Sequence, residues 1–234
     1  MANIQALDKN KHQHLKLVSE QLFTDIPKSH VVMVTVFELA KVAAEYPITF
    51  IKDQNTGQFH LVALLGLQPK ENLFIKNAQW QGNYIPMHFK ALPFVLSSHP
   101  NDSDKHVLCA DLDSAQISEQ NGVALFDEQG NQSELLTKKA EYVGQLMDQF
   151  SVTRNFISEL INKELLSPQS LTIKPKEGEE YDLTGLYTIN ENSLNDLSTD
   201  AYEQLRKSGF IAPIYACLFS MSRIESLVRL KAEQ

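Results

Sequence analysis

The segment PITFIKDQNTGQFHLVALLGL, Pro47 to Leu67, decides the fold. Two apolar runs, rich in β-branched and aromatic residues, flank the polar stretch DQNTGQ, which carries Gly57 near its end. That is the pattern of two strands joined by a turn. FHLVALLGL is apolar on both faces, so it predicts a strand inside a sheet rather than at its edge. Towards the N-terminus, SHVVMVTV (Ser29–Val36) predicts another strand, and FELAKVAAEY (Phe37–Tyr46) a short helix stopped by Pro47. In the other direction, NLFI predicts a further strand, while ALPFVLSS and KHVLCADL flank HPNDSD as a hairpin would. Short strands joined by turns predict a largely antiparallel sheet.

The pattern changes near residue 130. SAQISEQNG predicts a short capped helix ending at Asn121-Gly122, and VALFDEQGN a strand running into a turn. From Ser133 to Leu166 the spacing predicts one long helix. Its apolar or small residues Leu136, Ala140, Val143, Met147, Phe150, Ile157, Ile161 and Leu165 recur every three or four positions, with a gap at Arg154. LLSPQS ends that helix. LTIKP and LTGLYTIN then predict strands that add an edge or a second small sheet. A helix from about Ser198 is stopped by Gly209, and an amphipathic helix runs from Pro213 to Leu230. The expected architecture is α+β in a single domain over residues 1–234. It is strand-rich over about 29–130 and helix-rich over 131–234, with the sheet packed by the long helix and the C-terminal helix.

Composition narrows the function. The chain is 43% hydrophobic and 21% charged over 234 residues, enough to bury a large core without a metal or disulfide. A net charge of -8 and no basic cluster denser than Lys138-Lys139 argue against nucleic acid. All four arginines, Arg154, Arg206, Arg223 and Arg229, lie in the C-terminal half. The N-terminus has no apolar core of a secretory signal, and no apolar stretch reaches the roughly 18 residues of a membrane span. The longest is Phe210–Phe219, followed at once by Ser220, Ser222, Arg223 and Glu225. Cys109 and Cys217 read as reduced core residues of a cytoplasmic protein.

In order along the chain come EYPITF, ALLGLQPKENLF, Trp80 with YIP and LPF, LCADLDS, LFDEQGN, GLYTINENSLNDL and GFIAPIYACLFS. This succession, from about Tyr46 to Ser222, resembles the bacterial SapC family. The resemblance implies an accessory role linked to surface-layer or outer-membrane-associated pathways. It also implies protein partners such as halogenase-like or TonB-dependent receptor-system proteins, and it brings neither catalytic residues nor a cofactor. Where relatives carry His in an IYAHL-like segment, this chain has Cys217.

The residues offer several candidate sites. His99, Asp102, Asp104 and His106, continuing to Asp111 and Asp113, supply metal-ligand chemistry, although hairpin-tip residues explain the same composition. His12 and His14 alternate as two ligands on a strand would. Arg154, if it sits on the apolar stripe, needs a carboxylate partner or an anionic ligand. Trp80 and Tyr84, with His88, Phe89 and Phe94, form either a stacking platform for a partner or a core cluster. No nucleophile elbow or phosphate loop is present. The favoured expectation is a non-catalytic interaction protein, able to form homo-oligomers. The alternative is an enzyme, or a metal or small-molecule binder, with its site near His99–Asp113 or Arg154.

Overall fold

A computed structural model describes residues 3–18, 23, 29–99, 102–174 and 180–233, with the side chains of residues 99 and 102–105 outside the description. The first elements are β1 (Ile4–Ala6), α1 (Lys9–His12), β2 (Lys16–Leu17), β3 (Val31–Met33), α2 (Leu39–Val42), β4 (Ile48–Lys52) and β5 (Phe59–Leu64). Next come β6 (Ile75–Lys76), β7 (Gln79–Trp80), α3 (Met87–Ala91), β8 (Phe94–His99), β9 (Asp102–Asp111), β10 (Ile117–Ser118) and β11 (Val123–Ala124). The last are α4 (Glu134–Asn162), β12 (Leu166–Ile173), β13 (Tyr181–Ile189), α5 (Glu191–Asn195), α6 (Thr199–Lys207), α7 (Ile211–Ser220) and α8 (Ile224–Ala232). The fold is α+β with antiparallel sheets, as the alternation of strands and turns predicts.

The chain forms two compact units. One contains the described parts of Met1–Ile26, with Asn77–Gln79 and His88–Asp148; the other contains the described parts of Pro27–Lys76, Trp80–Met87 and Gln149–Gln234. α4 supplies residues to both units.

In the first unit, β9 lies between β1 and β8, antiparallel to each, with Ile4 opposite Asp111 and Phe94 opposite Ala110. β2 lies between β10 and β11 in a small second sheet. Phe94, Leu125 and Leu136 are fully buried in this unit. The helix predicted over SAQISEQNG is absent. There Ser114 Oγ accepts from Gln116 N, and Ser118 Oγ accepts from Gln120 N and Asn121 N. Those serines capture the backbone donors that a first helical turn would leave free, and the chain turns instead of coiling.

The second unit is built on a five-stranded sheet in the order β12-β13-β4-β5-β3, antiparallel throughout. β5 is interior, as its two apolar faces predict, and the β12–β13 hairpin extends one edge. The strand predicted over NLFI shrinks to Ile75–Lys76, because Leu73 and Phe74 lie in a turn and are buried there. Phe50, Phe156 and Phe210 pack ring to ring at 6.3 and 5.2 Å. α7 packs on α2, β4 and β13. Its Ser220 hydroxyl donates to Cys217 O and accepts from Ile48 N, both at buried atoms.

One helix end departs from the expected one for a backbone reason, and another meets it. α4 stops at Asn162 rather than at LLSPQS, because Glu164 takes a left-handed φ of 54° and Leu165 N bonds back to Leu160 O. That is the geometry of a glycine-type helix terminus occupied by a glutamate. α6 is capped at its start by Ser198 and followed by Gly209 at φ 75°, as predicted.

Candidate functional site

The sequence-predicted candidates occupy different settings. Trp80 and Tyr84 belong to one hydrogen-bonded cluster. The Trp80 indole donates to Tyr46 Oη at 3.2 Å and to Tyr84 O at 3.1 Å, and Tyr46 Oη also donates to Tyr84 O. The Trp80 ring stacks on Phe74 at 5.7 Å. Tyr84 is buried, and its hydroxyl donates to Glu38 Oε2 at 2.9 Å. Burial holds the Tyr46 phenol protonated well above the usual tyrosine range.

Glu38 anchors this cluster. It is 1% exposed, and its carboxylate also accepts from Met87 N at 2.9 Å and from Thr35 N at 3.0 Å. The Thr35-to-Glu38 spacing is the reciprocal half of a capping box. Gly82 is required by close approach: a Cβ there would lie 2.6 Å from Tyr46 Oη, 2.7 Å from Glu45 Oε2 and 2.9 Å from Trp80 Nε1. The polar ends of both rings are thus engaged within the chain, and half-buried Trp80 keeps part of its surface in water.

Arg154 is exposed, and no hydrogen bond or ion pair engages its guanidinium among the described residues. The buried stripe of α4 passes instead through Thr153, Phe156 and Leu160, while Ile161 is 45% exposed. The reason is phase: at 3.6 residues per turn the buried face drifts from the spacing read off the sequence. Thr153 satisfies its burial by donating to Gln149 O and accepting from Val36 N.

In the first unit, His99 and Asp102 face each other in backbone register at the β8–β9 tip. The side chains of His99, Asp102 and Asp104 lie outside the described residues, and His106 is exposed. Asp111 and Asp113 accept hydrogen bonds from Asn3. Among the described residues, no three His, Cys, Asp or Glu side chains converge as metal ligands. His12 is on helix α1 rather than a strand. It is buried, with Nδ1 accepting from Asp8 N, while exposed His14 lies 3.4 Å from Glu119. Both cysteines are buried and unbridged, and burial raises the Cys217 thiol far above its usual range.

The feature missed in the sequence is the outward face of the C-terminal helices. α7, a single 3-10 turn at Met221–Arg223, and α8 follow one another over the helical run Ile211–Ala232. Ser220 and Ser222 hydroxyls donate to carbonyls three residues back, so these polar residues do not break it. This run of 22 residues is long and apolar enough to cross a membrane by length and composition; its most apolar stretch has mean hydropathy 1.3, and only 22% of that stretch is buried. The expectation that no such stretch exists does not hold here. Ile214, Cys217 and Leu227 face inward. Phe219 is 72% exposed, and its ring stacks with half-exposed Tyr215 at 5.9 Å. A signal was available: Tyr215 and Phe219 sit four apart, on a different face from Ile214 and Cys217.

A family model described as SapC matches residues 7–227. No curated protein matches, and no solved structure matches.

Proposed function

The chain belongs to the SapC family, and on that premise we propose that it is a non-catalytic accessory protein that binds another protein through the outward face of its C-terminal helices. The observation that supports this is Phe219. A phenylalanine 72% exposed on a mostly uncovered apolar helix costs solvation in the isolated chain, and a partner would recover it. Aromatic residues of this kind are what anchor interfaces. The two buried, unbridged cysteines suit a reducing cytoplasm. The resemblance to a family linked with surface-layer and outer-membrane pathways makes a halogenase-like or TonB-dependent receptor-system protein the partner to test.

The test is sedimentation velocity of the purified chain mixed with such a protein from the same bacterium. A complex is expected with the native chain, and its loss with Phe219→Ser at unchanged circular dichroism. A complex formed equally well by Phe219→Ser would remove this face from the interaction. Stoichiometric zinc or iron in the purified protein, lost in a His99→Ala/His106→Ala double variant, would replace the interaction reading with a metal-binding one.

A further inference from the structure

Between α5, α6 and α7, beside Tyr215, the surface opens into a cavity of about 300 Å³ lined by Leu194, Asn195, Leu197, Thr199, Tyr202 and Tyr215. That volume is at the small end of ligand sites and fits one side chain with its flanking backbone. The lining is apolar at Leu194, which is buried, and aromatic at the two tyrosines. Its polar atoms are uncharged. Among the described residues, neither phenol hydroxyl nor the Asn195 carboxamide has a hydrogen-bond partner. A carboxamide presents a donor and an acceptor together, the complement of the N–H and C=O of an extended peptide.

Two acidic residues flank the lining residues in sequence. Asp196 sits between the lining residues Asn195 and Leu197, and Asp200 follows Thr199. Both carboxylates are exposed and have no ion-pair partner among the described residues. The nearby Arg206 is held by Glu203 at 2.7 Å, so it does not neutralise them. Tyrosine faces beside unpaired carboxylates select a cation over an anion.

We infer that this cavity binds an extended segment of a partner protein anchored by one arginine or lysine. The alkyl stem lies along Leu194 and Leu197, the cation faces Tyr202 and Tyr215 near Asp196 and Asp200, and Asn195 pairs with the segment's backbone. Phe219, stacked on Tyr215, extends the contact along α7. This deepens the interaction proposed above and rests on it. An anionic membrane is the competing occupant of the apolar helix, but Asp196 and Asp200 repel it.

The test uses the full chain, labelled with nitrogen-15, and the blocked peptide Ala-Pro-Arg-Pro-Ala with its neutral citrulline analogue. Arginine peptide should shift the amide signals of residues 194–202 and 215–219 saturably, with a Kd on the order of 1 mM for a single anchored side chain. Citrulline, Tyr202→Ala, or the double change Asp196→Asn/Asp200→Asn should each weaken binding about tenfold. Tyr202→Phe/Tyr215→Phe, which keeps both rings, should retain most of the cation binding and so separates recognition from folding. Equal binding of the citrulline peptide, or no saturable shift up to about 10 mM, overturns the assignment. Phosphatidylglycerol vesicles that broaden the α7 and α8 signals while the peptide leaves them unmoved would make this face a membrane surface and overturn it too. A partner complex that needs Phe219 while the peptide fails to bind would overturn only the cavity's ligand, leaving the proposed interaction standing.

Discussion

Glu38→Gln tests whether a buried carboxylate holds the second unit's aromatic cluster in place. Oε2 accepts from both Tyr84 Oη and Met87 N, and Oε1 accepts from Thr35 N. A glutamine fits the space but replaces one oxygen by a donor. The best arrangement keeps oxygen towards Tyr84 and Met87 and turns the amide nitrogen towards Thr35 N, where two donors then meet. One charge-assisted bond is lost, and two become neutral ones. Charge-assisted bonds contribute about 1.5–3 kcal/mol and neutral ones about 1 kcal/mol, so the loss is about 2–4 kcal/mol after allowing for the smaller desolvation of an amide. Trp80 is the only tryptophan and lies in the same cluster, so its fluorescence reports this unit directly. With a urea dependence of about 2 kcal/mol per molar, the unfolding midpoint should fall by about 1–2 M. Tyr84→Phe alone should cost about 1–2 kcal/mol. It should cost clearly less in the Glu38→Gln background, since the two changes share one bond. A midpoint within about 0.3 M of the native value would refute the idea that Glu38 is the anchor.

Gly82→Ala should push a methyl group against Tyr46 Oη and Trp80 Nε1; a red-shifted Trp80 emission in the folded protein is the expected readout, and an unchanged spectrum would count against close approach. Ser220→Ala leaves the buried Ile48 N without its acceptor and should lower stability by about 1–3 kcal/mol in urea denaturation. Glu164→Gly should stabilise the chain by about 0.5–1 kcal/mol, because glycine adopts the left-handed φ without strain. Burial lowers the pKa of His88 below its ordinary value of 6.5. The unfolded chain therefore binds this proton before the folded one does, and the stability is complete above about pH 6.5 and lost as pH falls through the folded pKa. His88→Gln should flatten that part of a pH–stability curve.

The local elements were legible because they depend on short-range chemistry. Pro47, Gly57 and the apolar runs around them specify two strands and a turn whatever surrounds them, and Ser198 and Gly209 mark the ends of α6. Where side chains compete with the backbone, as Ser114 and Ser118 do, a polar run that resembles a capped helix becomes a series of turns. Phase also defeats a reading by spacing. A drift of one residue along α4 places Thr153 inside and Arg154 in water, and no count of apolar positions distinguishes those neighbours.

By itself the sequence determined the fold class, the antiparallel pairing of Pro47–Leu67, the long helix and the family, since each follows from periodicity, turn chemistry or the order of short motifs. Only the tertiary structure decided which groups meet. Glu38 and Tyr84 are far apart in the chain, and Tyr202 and Tyr215 lie on different helices. Whether an aromatic residue such as Trp80 or Phe219 ends among bonds or in water depends on what packs over it, and that is a property of the folded chain.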